Sequence, residues 1–278
     1  MSGTLRVRRA EGSDIPALKR IWSVCFGDEA AYIDFFFGHR FSACRAVCAE
    51  TDHRIVGAAY LFPARMRDGA KLRPAWYGYA VGVDPQYRRR GICESMLRFV
   101  YTFVEKENAI FFLSPASPEL AAYYERIGMN PTHYAKKMEY KATSTHISCK
   151  NKLVQGEAHH WHVCQTQYEP IPGAVVWPED ALRYAAAENK TTNGICRTSP
   201  ERRAFAAGRR EADALHLTTM CCPPEEREAF LVALAAESGV RRIVWRQWIA
   251  AREPDGFVIG MTYNMRYPAS GPLGPLLD

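Results

Sequence analysis

The sequence predicts a mixed α/β (α+β) protein built from two domains. Its length of 278 residues exceeds that of a typical single domain. Segments with strand-like and helix-like periodicity alternate in both halves. A strand at residues 74–83 leads into a short basic loop that ends in glycine, and an amphipathic helix follows. We expect the boundary near Lys141–Lys150, which gives domains of residues 1–143 and 151–278.

The composition excludes several other classes of protein. Hydrophobic residues make up 47% of the chain and charged residues 24%, which is typical of a globular protein and not of a disordered chain, a collagen or a coiled coil. No segment approaches the ~18 apolar residues that a membrane span needs. The segment Met1–Ala10 lacks the apolar core of a secretory signal. We therefore expect a cytoplasmic protein whose nine cysteines are reduced.

In the first half of the sequence, local signals mark the ends of the elements. Ser13 is the expected N-cap of the first helix, and apolar residues then recur at helical spacing to Phe26. The fourth helix has Ser117 as its N-cap and Pro118 at its first position, and it stops at Gly128. The predicted helices are residues 15–26, 28–41, 92–107 and 118–127. The predicted strands are residues 4–9, 45–50, 54–63, 74–83, 110–113 and 134–140.

The second half repeats the alternation after residues 141–173, where periodicity is weak and no element is predicted. A helix is expected to begin at Pro223 and to end before Gly239. The other predicted helix is residues 178–188. The predicted strands are residues 195–198, 204–207, 215–221, 240–248 and 256–267.

The loop at residues 84–91 has the features of an anion-binding site. The first amides of a helix lack partners within the helix and carry partial positive charge. Three arginines, Arg88–Arg90, precede the helix here, and Gly91 allows the backbone to approach a ligand closely. This combination suits a pyrophosphate. Neither the GxxxxGK[ST] loop nor the GxGxxG loop is present, so the pattern is a different phosphate cradle.

Two motifs in this region resemble those of the GNAT N-acetyltransferase superfamily. Residues 81–92, with the sequence VGVDPQYRRRGI, resemble the acetyl-coenzyme A signature of that family. Residues 124–129, YERIGM, resemble its second marker, Tyr-Glu-x-x-Gly-Phe. The motifs stand in the usual order with a strand between them, and the resemblance covers about residues 4–140. It implies the GNAT fold, in which two central strands splay apart and coenzyme A occupies the gap.

The resemblance also implies roles for individual residues. Backbone groups of residues 81–83 would pair with the pantetheine arm, and amides of residues 88–92 would hold the pyrophosphate. Tyr124 would act as the general acid beside the sulfur. Cys93 stands where the family has Gly or Ala, and Ser117 stands where Asn is common, so the pantetheine contact of Ser117 would be weaker or mediated by water. The implied acetyl-CoA-binding residues are Val81, Gly82, Val83, Arg88, Arg89, Arg90, Gly91, Ile92 and Ser117.

The second half resembles a degenerate copy of the same fold without a coenzyme A site. Its strand–helix–strand segment carries the loop Cys221–Glu226, in which two prolines lack amide donors and two glutamates repel phosphate. An active copy followed by a degenerate one is similar to the Eis-type (enhanced intracellular survival) acetyltransferases. The chain would lack their C-terminal sterol-carrier-like domain.

These features favour an N-acetyltransferase that moves an acetyl group from acetyl-CoA to a primary amine by direct attack in a ternary complex. The amine must lose a proton, because an alkyl ammonium has a pKa of ~10. Strand 74–83 has no glutamate, so an ordered water polarised by Tyr77 or Tyr79 would take the proton. An amide of residues 81–83 would stabilise the oxyanion. The aromatic helix 28–41 would line the acceptor pocket, although Phe36 equally suits the core.

Other functions have weaker support in the sequence. The main alternative is a protein that binds acyl-CoA without turnover, as a sensor or scaffold. Nucleic-acid binding needs a contiguous basic face, and the other arginines are scattered in pairs. No metal is expected, because His159–His162 lacks the spacing of a zinc site. Neither redox chemistry at Cys221–Cys222 nor a nucleophilic Cys93 is favoured. The acceptor, a small-molecule or peptide amine, and the oligomeric state remain open.

Overall fold

The computed structural model describes residues 4–142, 152–250, 252–269 and 271–274. The chain divides into two units. The first contains Met1–Met66, Leu72–Pro131 and Gly260–Arg266, and the second contains Arg67–Lys71, Thr132–Ile259 and Tyr267–Asp278. Each unit therefore includes a short segment from the other half of the sequence. Most of the expected boundary, Lys141–Lys150, lies outside the described residues.

The first unit is a mixed sheet with helices connecting its strands. Its strands are β1 (Arg6–Arg9), β2 (Ala46–Thr51), β3 (Arg54–Asp68), β4 (Lys71–Val83) and β5 (Ile110–Leu113). Its helices are α1 (Ile15–Phe26), α2 (Ala30–His39), α3 (Ile92–Lys106) and α4 (Pro118–Arg126). The strands follow the order β1-β2-β3-β4-β5, and residues 261–263 pair antiparallel with residues 111–113. The elements predicted for residues 4–127 are confirmed to within a few residues, except that β3 is longer.

One capping prediction in this unit is wrong. Ser13 lies inside a short 3-10 turn, Gly12–Asp14, and Asp14 is the N-cap of α1. The Asp14 carboxylate accepts a hydrogen bond from the Glu11 backbone N–H at 2.7 Å and two from Arg8 at 2.6 and 3.0 Å. These bonds hold residues 11–14 in an extra turn, so the N-cap of α1 is Asp14 and not Ser13, although the helix begins at Ile15 as predicted.

The second unit has a sheet in the order β6-β12-β11-β10-β9-β7. Its strands are β7 (Val154–Gln155), β8 (Val175–Val176), β9 (Ile195–Thr198), β10 (Phe205–Glu211), β11 (Ala214–Cys221) and β12 (Arg242–Ile249). Its helices are α5 (Ala158–Tyr168), α6 (Glu179–Thr191) and α7 (Arg227–Ser238). Strands β6 (Asn130–Lys141) and β13 (Phe257–Tyr263) have residues in both units. The connection β11–α7–β12 joins two parallel strands, as β4–α3–β5 does in the first unit.

Several features of the second unit depart from the sequence prediction, among them the short strands β7 and β8, which were not predicted. Helix α5 was not predicted, because its buried face includes the polar residues His160 and Gln165 and so lacks an apolar stripe. Helix α7 begins at Arg227, and Pro223 and Pro224 lie in a turn before it. The prolines therefore do not remove amide donors from the start of that helix, which corrects the reason given for the missing phosphate site.

Each unit buries its own apolar residues. In the first unit the largest fully buried side chains include Trp22, Phe36, Phe111 and Phe112. In the second, α7 packs on the sheet through residues such as Phe230. No helix in the described ranges is long and apolar enough to cross a membrane.

Candidate active site

Strands β4 and β5 pair over only part of their length. Their parallel register joins Ala75–Tyr77 to Ile110–Phe112 and ends there. Beyond this point β4 continues to Val83, while β5 ends at Leu113. At Gly78 a Cβ atom would lie 2.5 Å from the Phe111 ring, so glycine is needed where the two strands separate. The pairing of these strands therefore ends in the region where the family resemblance implies that they separate.

The part of β4 beyond this pairing has an irregular backbone. Ala80 has a φ of +45°, a left-handed conformation that is rare for alanine and typical of a bulge. Val81 follows it half-buried, and Gly82 and Val83 are buried. A Cβ at Gly82 would lie 3.0 Å from Cys25 Sγ, so the end of α1 packs closely against this segment. Residues 81–83 lie beyond the register with β5, so that pairing does not occupy their backbone groups.

Asp84 holds the loop that follows β4. Its backbone N–H donates to the Val56 carbonyl at 2.8 Å. Its carboxylate accepts from the Gln86 N–H at 3.1 Å and from Arg20 at 2.8 Å. Burial opposes ionisation of Asp84, but these bonds outweigh it and hold the pKa of the carboxyl below its ordinary value. The base of the loop is therefore fixed by a buried, charged network.

The loop ends in an open helix N-terminus. Gly91 is the N-cap of α3, with a φ of +72°, and Arg89 also has a positive φ of +63°. A Cβ at Gly91 would meet no atom within 4 Å, so the space beside the first turn of α3 is open. Arg88, Arg89 and Arg90 are all exposed, and Ile92 is buried at the start of the helix. Open amides beside three cations fit an anionic group such as a pyrophosphate.

Two of the arginines also support the loop itself. Arg88 Nε donates to the Val83 carbonyl at 3.0 Å. Arg90 donates to the Gln86 carbonyl at 3.2 Å, and its guanidinium lies 5.1 Å from the centre of the Tyr87 ring. Arg88 and Arg90 therefore stabilise the conformation of the loop in addition to making it positively charged.

Two neighbouring tyrosines of α4 lie near the first turn of α3. Tyr124 is only 6% exposed, and burial, together with Cys93 and nearby tyrosines, raises the pKa of its phenol. Tyr123 is half-buried, and burial, together with the neighbouring Cys93, raises the pKa of its phenol. Burial also raises the pKa of Cys93, against a weaker opposing effect of Tyr123. Cys93 is therefore a thiol at neutral pH, and both phenols keep their protons.

Ser117 is engaged at the start of its own helix. Its Oγ accepts from the Leu120 N–H at 3.3 Å, as the N-cap signal predicts. A hydrogen bond from Ser117 also lowers the pKa of Glu119. A pantetheine contact of this hydroxyl would therefore compete with the cap of α4.

The aromatic residues of α2 divide between core and surface. Phe36 has no exposed surface, and its ring centre lies 4.4 Å from that of Trp22 and 5.2 Å from that of Tyr60. It is a core residue. The hydroxyls of Tyr32 and Tyr79 are half-buried and lie 3.1 Å apart.

Sequence reasoning missed two contributors to this site. Asp84 had a usable signal, because Asp before Pro commonly caps a turn. No sequence signal pointed to Tyr123, because only the packing of α4 against α3 brings it close to Cys93. The histidines that lack the spacing of a zinc site lie on α5, where His160 Nδ1 accepts from the Glu157 N–H at 2.9 Å. Among the described residues, no group of three His, Cys, Asp or Glu side chains could hold a metal.

Comparison with known proteins gives one sequence-model match, in the first part of the chain. Residues 6–132 match the sequence model described as "Acetyltransferase (GNAT) domain". A search of curated protein sequences found no match.

Solved structures resemble the chain over most of its length. A GCN5-related N-acetyltransferase from Anabaena variabilis superposes with a TM-score of 0.74 at 14% identity, covering 95% of this chain and 73% of that one. One from Kribbella flavida gives 0.70 at 16% identity, with 94% and 71% covered. Eis1 from Mycobacterium abscessus gives 0.66 at 12% identity, with 94% and 73% covered. The chain thus has the GNAT fold, and its residues 6–132 match the sequence model of an acetyltransferase (GNAT) domain.

Proposed function

We propose that this protein is an N-acetyltransferase that moves an acetyl group from acetyl-CoA to a primary amine by direct attack in a ternary complex. The observation that carries the proposal is the opening of the β4–β5 pair beside the helix N-terminus at Gly91. A GNAT-family match over residues 6–132 supports the same reaction class.

The residues present fit coenzyme A. Amides of residues 88–92 and the exposed arginines would hold its pyrophosphate, because the open space at Gly91 admits an anion. Backbone groups of residues 81–83 would pair with the pantetheine arm, since they lie beyond the β4–β5 register. When bound, acetyl-CoA supplies an activated thioester. An N–H of residues 81–83 would donate a hydrogen bond to the carbonyl oxygen of the acetyl group as negative charge develops there.

The proposed reaction also needs a proton donor for the departing sulfur and a proton acceptor for the amine. Tyr124 is buried and protonated, and its Oη would donate a proton to the departing sulfur. The acceptor ammonium must release a proton before it attacks. A water held by the Tyr79 hydroxyl would take that proton, because Tyr79 is half-buried beside Tyr32, whereas Tyr77 is only 3% exposed.

We also propose that the chain comprises a catalytic domain, residues 1–143, and a degenerate GNAT-like domain, residues 151–278, that binds no coenzyme A. The parallel connection β11–α7–β12 supports a GNAT-like second domain, because β4–α3–β5 of the first domain has the same connection. Glu225 and Glu226 stand before α7, where a phosphate site would need positive charge, and Arg203 is paired with both at 3.2 and 2.8 Å. Calorimetric titration with coenzyme A should therefore give one site per chain.

The decisive experiment is acetylation of a panel of amines, read as release of free coenzyme A. The panel should include an aminoglycoside, a polyamine, a peptide N-terminus and a lysine peptide. Release that depends on one class of amine supports the proposal. Binding of acetyl-CoA without release for any amine would favour the sensor alternative.

A binding measurement tests the cradle separately. Acetyl-CoA should raise the melting temperature of the wild type by mass action, and Gly91→Trp should abolish the shift. Gly239→Trp is the matched control, because Gly239 has a φ of +64°, and a Cβ there would likewise meet no atom within 4 Å. A full shift in Gly91→Trp would show that the cradle lies elsewhere.

A further inference from the structure

Helix α5 lies against one face of the second unit's sheet, at strands β10 and β11. The Trp161 ring of α5 packs against the Phe205 ring of β10, with ring centres 4.8 Å apart. Phe205 is directly opposite Cys221 of β11 in the antiparallel register. Because side chains directly opposite each other in such a pair are on the same face, Cys221 is on the face of the sheet that α5 covers.

Two cysteines come together where α5 meets β11. The Cys221 thiol donates a hydrogen bond to Gln167 Oε1 of α5 at 3.0 Å. Cys164 precedes Gln167 by one helical turn, so the two side chains are on the same face of α5, and Cys164 is only 3% exposed. Trp161 and Gln167 thus hold the helix against the sheet on either side of Cys164. The Cys164 thiol is therefore a direct neighbour of the Cys221 thiol, and both are free.

The two thiols differ in exposure and in acidity. Cys221 is half-buried, so a small oxidant can reach it from solvent, whereas Cys164 is buried. Cys221 and, to a smaller extent, burial raise the pKa of Cys164, which therefore keeps its proton at neutral pH. Cys164 lowers the pKa of Cys221 against the opposing effect of burial, which favours the reactive thiolate at Cys221. An accessible, more acidic thiol beside a second thiol is typical of redox-sensitive cysteines.

Cys222 does not share this arrangement, although it is next to Cys221 in the sequence. It packs against the core cluster that contains Ala206 and Phe230. Ala206 follows Phe205 on β10, and successive side chains of a strand point to opposite faces, so this cluster is on the face away from α5. The cysteine that Cys221 meets is thus supplied by a helix distant in the sequence and not by its neighbour.

We propose that Cys164 and Cys221 form a reversible disulfide when the protein meets a hydroperoxide. The Cys221 sulfur attacks one oxygen of hydrogen peroxide, the O–O bond breaks, and the products are Cys221 sulfenic acid and water. Cys164 then attacks the Cys221 sulfur. The S–S bond forms as the S–O bond breaks, and the hydroxide that leaves takes the Cys164 proton to become a second water.

This step is balanced by the peroxide alone. The two thiols lose two electrons and two protons, the peroxide is reduced to water, and a dithiol reductant reverses the oxidation. The bond would join α5 covalently to β11 within the second unit. The inference is independent of the acetyltransferase proposal, since neither cysteine belongs to the candidate active site.

The test is peptide mapping of the full chain after graded treatment with hydrogen peroxide. Catalase removes the peroxide, and iodoacetamide then alkylates the free thiols after denaturation. The exposed Cys44 of the first unit is the internal standard that sets the upper dose. We expect the wild type to lose two of its nine thiols, Cys164 and Cys221, to one disulfide before Cys44 is oxidised, and to regain both with dithiothreitol. Free thiols at both positions once Cys44 is oxidised, or a disulfide from Cys221 to another cysteine, would overturn the proposal.

Variants test the order of the two steps at the dose that forms the wild-type disulfide. Cys164→Ala should leave Cys221 as a sulfenic acid that dimedone traps. Cys221→Ser should leave Cys164 a free thiol, because Cys164 is buried. Cys222→Ser is the matched control, since Cys222 is likewise half-buried, and it should form as much disulfide as the wild type.

Melting curves of the reduced variants verify that they fold, and the wild-type map alone decides if one does not. No dimedone adduct at Cys221 in Cys164→Ala, oxidation of Cys164 in Cys221→Ser, or loss of the disulfide in Cys222→Ser would each refute the pair.

Discussion

Substitution of Phe36 by alanine tests whether helix α2 contributes to the core or to the acceptor pocket. Phe36 has no exposed surface, and ring centres of Trp22, Tyr60 and Phe37 lie 4.4, 5.2 and 5.4 Å from its own. Alanine would leave a cavity among these rings, which cannot all move to fill it. Such a change costs about 3–5 kcal/mol of unfolding free energy. The loss is a large part of the ~5–15 kcal/mol that stabilises a typical domain.

Urea denaturation followed by tryptophan fluorescence measures this loss, since Trp22 contacts the substituted ring. With a urea dependence of about 2 kcal/mol/M, a loss of about 4 kcal/mol lowers the midpoint by about 2 M. Phe35→Ala is the control. Phe35 is half-buried, so we expect a loss of only about 1 kcal/mol. Folded Phe36→Ala should keep the acceptor KM of the wild type. An unfolding free energy within about 1 kcal/mol of the wild type, together with a changed acceptor KM, would refute the core assignment.

Three further outcomes are expected. Tyr124→Phe should lower kcat by about 10²-fold with unchanged acetyl-CoA affinity, while Tyr123→Phe should keep most of the activity, and the reverse result would exchange their roles. Burial lowers the pKa of His133 from 6.5 to about 4. Between pH 4 and pH 6.5 the His133 imidazole is therefore protonated in the unfolded chain but neutral in the folded one. Because the unfolded state loses this proton as the pH rises, the free energy of unfolding of the wild type should increase by about 3 kcal/mol from pH 4 to pH 6.5. Urea titrations at both ends test this gain, and an equal gain in His133→Gln would contradict the assignment. Gly78→Ala places a Cβ 2.5 Å from the Phe111 ring and should cost about 1–3 kcal/mol, so an unchanged melting temperature would contradict the close packing.

The sequence predicted those features that depend on local chemistry. Ser117 caps α4 through its own side chain, and the left-handed Gly91 starts α3, because both effects act within a few residues. The order strand, basic loop, glycine, helix is likewise a local pattern, so the position of the candidate phosphate cradle could be predicted. The GNAT fold was implied by the resemblance of two motifs, residues 81–92 and 124–129, to those of that family.

Tertiary structure decided what depends on residues far apart in the sequence. Strand pairing assigns Arg67–Lys71 to the second unit and Gly260–Arg266 to the first, and no local pattern encodes such an exchange. Helix α5 has no apolar stripe that sequence periodicity could reveal, because polar side chains share its buried face. The burial of Phe36 likewise depends on which side chains other segments of the chain bring beside it.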